Sequence, residues 1–217
     1  MRGVRAHALP HCVREESEMN HPLRCRCGNL QGYVSHPEKL VNRGICYCRD
    51  CQAYAHFLGK TDDILDEMGG TDVVAILPKN LNFTQGFESL ACMSLTEKGL
   101  LRWYASCCNT PIGNTPRNFK VSFVGLIHTC LKDPSTTIES SFGSVSMWIS
   151  TKSAKGRPNS MPSRRFSAVI RILKSIIRAR LDGSYKSTPF FVPDRGTPVI
   201  APKVLSNSER ERLMNAV

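Results

Sequence analysis

Between residues 23 and 148, apolar positions come in short runs that alternate with polar residues and stop at turns, which predicts strands. Residues 28–34 form one such segment. Residues 72–77, rich in Val and Ile and ended by Pro78, form a second. Residues 90–94 and 100–105 flank Thr96-Glu97-Lys98-Gly99, which predicts a hairpin whose turn uses the conformational freedom of Gly99. The apolar run in 120–130 reads as a buried strand, and 144–151 as another. After a basic Gly/Pro/Ser-containing linker at 152–162 the period changes. Phe166, Val169, Ile170, Leu173, Ile176, Ile177 and Leu181 recur at spacings of three and four, with Ser163 placed to cap and Gly183 to terminate. The spacing predicts an amphipathic helix over 163–181. Its apolar stripe is expected to pack on the sheet, leaving Arg165, Arg171, Lys174, Arg178 and Arg180 in solvent. The competing reading is a helix that lies on a membrane surface or a partner. Residues 190–202 are extended and punctuated by proline, and Ser206-Asn207-Ser208-Glu209 has capping-box spacing for a last short helix.

The fold class is therefore mainly β with an added C-terminal amphipathic α-helix. Three regions are expected: a disordered leader at 1–20, a β domain at 21–150 and a basic C-terminal extension at 151–217. Met19 is a candidate translation start. The chain has no run of 18 apolar residues, so no membrane span is expected. The first 19 residues have no apolar stretch of the secretory kind, which points to a cytoplasmic protein. Charge is concentrated late: residues 150–217 hold 14 Lys and Arg against four Asp and Glu, within a chain of net charge +11. Nucleic acid or an anionic surface would suit this excess, but no aromatic interleaving or nucleic-acid motif accompanies it, and a solvated basic face is the favoured reading.

The cysteines change the picture most. Seven of the ten fall in three groups: Cys25 and Cys27; Cys46, Cys48 and Cys51; Cys107 and Cys108. In a protein without export these are better read as thiols and metal ligands than as disulfides. Zinc takes four such ligands in a tetrahedron. The first and third groups can staple distant segments as a closed four-thiolate site with one ion. The middle trio can wrap a second ion and leave one position open, the form of a catalytic zinc. The alternative for the trio is a second structural zinc completed by His56, His128, Cys92 or Cys130. His56 is also the nearest candidate general base, and Arg43 and Arg49 are candidates to hold an anionic thiol carrier, with solvated surface arginines the favoured reading.

The order Cys-x-Cys-Gly, then Cys-x-Cys-x-x-Cys, then a hairpin ending in Cys-x-Thr-Pro resembles the glutathione-dependent formaldehyde-activating enzyme family, which includes centromere protein V. The likeness covers about residues 23–114 and extends to Gly44, Ile76-Leu77, Gly86 and Arg102-Trp103-Tyr104. The resemblance implies a β-tent of small antiparallel sheets stapled by zinc. It implies two zinc ions, a structural one at Cys25, Cys27, Cys107 and Cys108, and one at Cys46, Cys48 and Cys51 that serves as the catalytic centre. The implied activity is a carbon–sulfur lyase reaction joining glutathione, or another small thiol, to formaldehyde as S-hydroxymethylglutathione. The alternative class is a non-catalytic zinc module that docks on a macromolecule through its basic helix. The chain departs from the family pattern at Ala105, where the third group usually begins, so that Cys107 must substitute. It departs again at Tyr47, commonly His.

Overall fold

The computed structural model describes residues 20–158 and 162–217, with side chains at 162–166 left aside. The expected leader therefore lies outside the described residues except for Asn20, which opens the first strand. In chain order the elements are β1 (Asn20–Arg24), β2 (Gln31–Ser35), β3 (Asn42–Cys46), α1 (Arg49–Leu58), α2 (Thr61–Ile64), β4 (Thr71–Ile76), β5 (Leu81–Gln85), β6 (Leu90–Ser94), β7 (Leu101–Ala105), β8 (Thr110–Thr115), β9 (Val124–Ile127), α3 (Ile138–Phe142), β10 (Met147–Ile149), α4 (Pro162–Leu181), β11 (Phe191–Val192), β12 (Thr197–Pro198), β13 (Lys203–Val204) and α5 (Asn207–Asn215). The protein is mainly β, as its alternation predicts.

Strands β1, β2 and β5 form a three-stranded antiparallel sheet. A larger sheet runs β10-β3-β4-β9-β8-β7-β6-β13. Its interior pairs are antiparallel, whereas β10 on β3 and β13 on β6 are parallel, so both edges are closed by late segments of the chain. The 90–105 hairpin forms as β6 and β7, paired from Leu90 with Ala105 to Met93 with Arg102. The 120–130 run is strand only at β9. Beyond it the backbone winds into a tight turn of helix at His128–Leu131, which carries the Cys130 thiol back to the carbonyl oxygens of Ile127 (3.1 Å) and Ile112 (3.4 Å).

Trp103 is fully buried at the centre of the core and donates its indole N–H to Thr115 Oγ1 at 2.9 Å. Phe190 stacks on it at 4.8 Å between ring centroids, with Phe191 at 6.5 Å. Two aromatic residues of the C-terminal segment thus pack against the strand that leads to Cys107 and Cys108. Helix α5 follows a complete capping box between Ser206 and Glu209, as the sequence predicts, and lies against α1.

Helix α4 spans the predicted residues and ends at Gly183, whose left-handed φ of 76° suits a residue without Cβ. Its orientation differs from expectation. The face laid on β3 and β10 is built around small side chains, Ala168 and Ala179, both buried, with Ser175 between them half-buried. Most of the large aliphatics point away: Val169 is 48% exposed, Leu173 53%, Ile177 57% and Leu181 83%. Ile170 is half-buried, and the Phe166 side chain lies outside the described residues. Small residues line the covered side of the helix, and the wider aliphatic stripe lies on the side that is not covered.

Candidate metal centres

The first centre is assembled by two turns. Cys25 directly follows β1, and the turn to β2 is closed by the Gly28 N–H donating to the Cys25 carbonyl (2.9 Å) and the Cys25 N–H donating to the Leu30 carbonyl (2.9 Å). Gly28 has φ 78°, which its position after Cys27 requires. The Leu30 N–H also points at Cys25 Sγ, at 3.3 Å. Cys107 and Cys108 sit in the turn between β7 and β8, where Asn109 takes φ 55°. Gly86 lets the β1–β2 turn pack close: a Cβ there would lie 2.0 Å from the Asn29 carbonyl oxygen. The sulfurs of Cys25 and Cys27 are 3.5 Å apart, Cys25 and Cys107 3.8 Å, Cys27 and Cys107 3.3 Å, and Cys107 and Cys108 3.9 Å. A tetrahedron with Zn–S bonds near 2.3 Å has edges of about 3.8 Å, so the four sulfurs fit one ion. Cys107 therefore reaches the ligand position despite the Ala105 departure.

The second centre lies where β3 runs into α1. Cys46 is the last residue of β3, Cys48 is the N-cap of α1, and Cys51 is in its first turn. The trio is thus strand, cap and helix, not the local loop its spacing suggests. Its sulfurs stand 3.4 Å (Cys46 to Cys48) and 3.8 Å (Cys51 to Cys46) apart, again the edge length of a tetrahedral thiolate site. No fourth Cys, His, Asp or Glu joins these three among the described residues. Cys92 and Cys130 are buried with their thiols bonded to backbone carbonyls. His56 faces Leu205 and Leu213 across a groove under α5, and His128 lies beside Asp72 and Lys132.

Arg102, which the sequence marks only as part of the family likeness, joins the second centre. It is 2% exposed, and its Nη1 lies 3.8 Å from Cys51 Sγ and 3.3 Å from Asn114 Oδ1. Its Nη2 is 4.0 Å from the Asp50 carboxylate, and the guanidinium covers the Tyr54 ring at 5.2 Å. The signal was a charge between Leu101 and Trp103, in a strand buried on both faces. Hydrogen bonds from Cys46 and Cys48, reinforced by Arg102, hold the Cys51 thiol well below its usual range despite burial. Cys46 is pushed up by its two neighbours and by burial. Of the three sulfurs, Cys51 is the one that lies against the guanidinium. Tyr47, in the place of the family's His, is fully buried, and its hydroxyl is raised to about 12 by burial and by Asp66. Arg43 pairs with Asp72 at 2.7 Å, and Arg49 donates to the Met214 carbonyl at 2.6 Å, so both expected carrier residues are tied to the protein itself.

Two cavities bear on these centres. One of about 220 Å³ touches Cys25 and Cys108 and is rimmed by Arg24, Arg26, Lys60 and Lys132. A groove of about 550 Å³ runs between α1 and α5 beside Asp50, lined by Arg49, Arg210, Glu211 and Met214. Because a metal binds thiolates, protons compete with it. Affinity is full at higher pH and falls as the sulfurs take up protons. Acidifying metal-loaded protein from neutral pH is expected to release metal progressively at both centres, read with a chromogenic chelator. Release independent of pH would exclude thiolate ligation.

Residues 18–201 match the model of a family described as "Family of unknown function (DUF6151)", and the chain belongs to that family. No curated protein matches. Among solved structures, a Rhodobacter sphaeroides protein is similar at 17% identity and a TM-score of 0.38, over 58% of this chain and 98% of its own. The likeness to glutathione-dependent formaldehyde-activating enzymes is one of cysteine order. The family that the comparisons establish is DUF6151.

Proposed function

We propose that this chain binds two zinc ions, a structural one at Cys25, Cys27, Cys107 and Cys108 and a second at Cys46, Cys48 and Cys51, where a small thiol completes the site. Glutathione is the first thiol to test. The observation that carries the reading is a trio of sulfurs at tetrahedral spacing without a fourth protein ligand among the described residues. Soft thiolates select zinc over hard cations, and a soft fourth ligand suits the same set. Bound there, zinc lowers the pKa of an incoming thiol. Arg102 offsets the negative charge of the sulfurs and reaches toward Asp50, which lines the groove between α1 and α5.

The cysteine order supports a carbon–sulfur lyase with formaldehyde as co-substrate. In that reaction the thiol sulfur bonds to the carbonyl carbon, the carbon–oxygen double bond becomes single, and the thiol proton ends on oxygen. The experiment is elemental analysis followed by calorimetry with glutathione. About two zinc ions per chain and binding abolished by Cys48→Ser are expected. Loss of binding in Lys60→Glu with Lys132→Glu, but not in Cys48→Ser, would move the ligand to the cavity at the first centre. Absence of thiol binding to zinc-loaded protein would leave a non-catalytic zinc module.

A further inference from the structure

Helix α4 presents a combination that no other described element shares. Val169, Leu173, Ile177 and Leu181 follow one another at i, i+4 along a helix about 30 Å long and are about half exposed or more. Residues four apart lie on one face, so these side chains form a single stripe. The stripe is bordered by cations, with Lys174 and Arg178 on one side and Arg180 on the other, all exposed. Beyond Lys174 and Arg178 a cleft of about 690 Å³ separates the helix from the loops before β3 and β5. Lys39, Lys79 and Arg171 line that cleft, on the flank of the helix beside the stripe, with Asp182 as its acidic member. No helix among the described residues is long and apolar enough to cross a membrane, so the stripe is not part of a span.

We propose that α4 is an in-plane anchor for anionic lipid bilayers: Leu173, Ile177 and their neighbours enter the headgroup boundary while the surrounding lysines and arginines engage lipid phosphates and carboxylates. Charge complementarity selects this occupant. A second copy would set one cationic face against another, which repels. A nucleic acid would satisfy the cations but leave four aliphatic side chains with no base-stacking surface to offer. An anionic bilayer takes both halves, since apolar insertion and attraction to acidic headgroups add in an interfacial helix. The alanine face that docks α4 on β3 and β10 holds the helix flat while its large side chains point outward.

Vesicle co-sedimentation of the full chain tests this. We expect binding to phosphatidylcholine vesicles containing phosphatidylserine, little binding to phosphatidylcholine alone, and weakening by salt. Leu173→Asp with Ile177→Asp, and separately Lys174→Glu with Arg178→Glu, should each lower the partition coefficient by roughly tenfold or more. These positions are exposed, so zinc content and circular dichroism should stay as in the wild type, which separates lost docking from lost folding. Three results would overturn the proposal: equal binding to neutral vesicles, a dimer abolished by Leu173→Asp, and tighter binding to duplex DNA than to acidic vesicles.

Discussion

Cys25→Ser and Cys108→Ser are expected to lower the melting temperature of the protein far more than Cys48→Ser. Cys25 and Cys107 stand 82 residues apart, and their cluster joins the β1–β2 turn of the small sheet to the β7–β8 turn of the large one. Metal binding at such a site is itself folding free energy, because the unfolded chain has no preformed site. Losing one thiolate costs several kcal/mol. For a chain of this size a melting temperature moves roughly 2–4 °C per kcal/mol, so a fall on the order of 10 °C is expected. Cys48, Cys46 and Cys51 instead lie within six residues and join a strand end to the helix that follows it. Cys48 is also the least buried of the three, so its loss should remove thiol binding with a small change in melting. Differential scanning calorimetry on the three variants decides. Equal collapse in all of them would make both centres structural.

Much of this architecture was legible because single residues announce it. Pro78 ends β4, Gly99 turns the hairpin, the Ser206–Glu209 box starts α5, and the cysteine groups converge into two sets of sulfurs as their spacing implied. The failures have physical causes. Helix α1 was unseen because its buried face is Cys51, Gln52, Ala53, Tyr54, Ala55 and Leu58, a mixture in which ligand chemistry hides the apolar period. For α4 the period was right and the direction wrong. Periodicity locates a stripe but does not say which face meets protein, and here the covered face is the one that carries Ala168 and Ala179. The β1, β3, β5 and β8 strands are short and carry polar residues, and β3 and β5 pair with strands distant in sequence. The role of Arg102 was illegible for a related reason: its meaning lies in Cys51, a partner on another element.

Arg102→Met is expected to damage the second centre and leave the first intact. The guanidinium is buried against Cys51, Asn114 and the Tyr54 ring, with Asp50 at the edge. Methionine fills a similar volume but returns no charge and no donors. In the metal-free protein the buried Cys51 sulfur would lose its neighbouring cation. A sulfur without that cation holds its proton more tightly, and the proton is the competitor of the metal. In the loaded protein three thiolates outweigh the two charges of zinc, and loss of the neighbouring cation weakens the site. Removal of such outer partners lowers metal affinity by roughly 10–100-fold. Arg102→Lys keeps the charge but gives up the planar fork that reaches sulfur and amide together, so an intermediate loss is expected. Chelator competition would resolve two zinc affinities, and only the weaker-held ion should shift in Arg102→Met. A variant that melts lower yet binds both ions as tightly as the wild type would show that Arg102 serves packing alone.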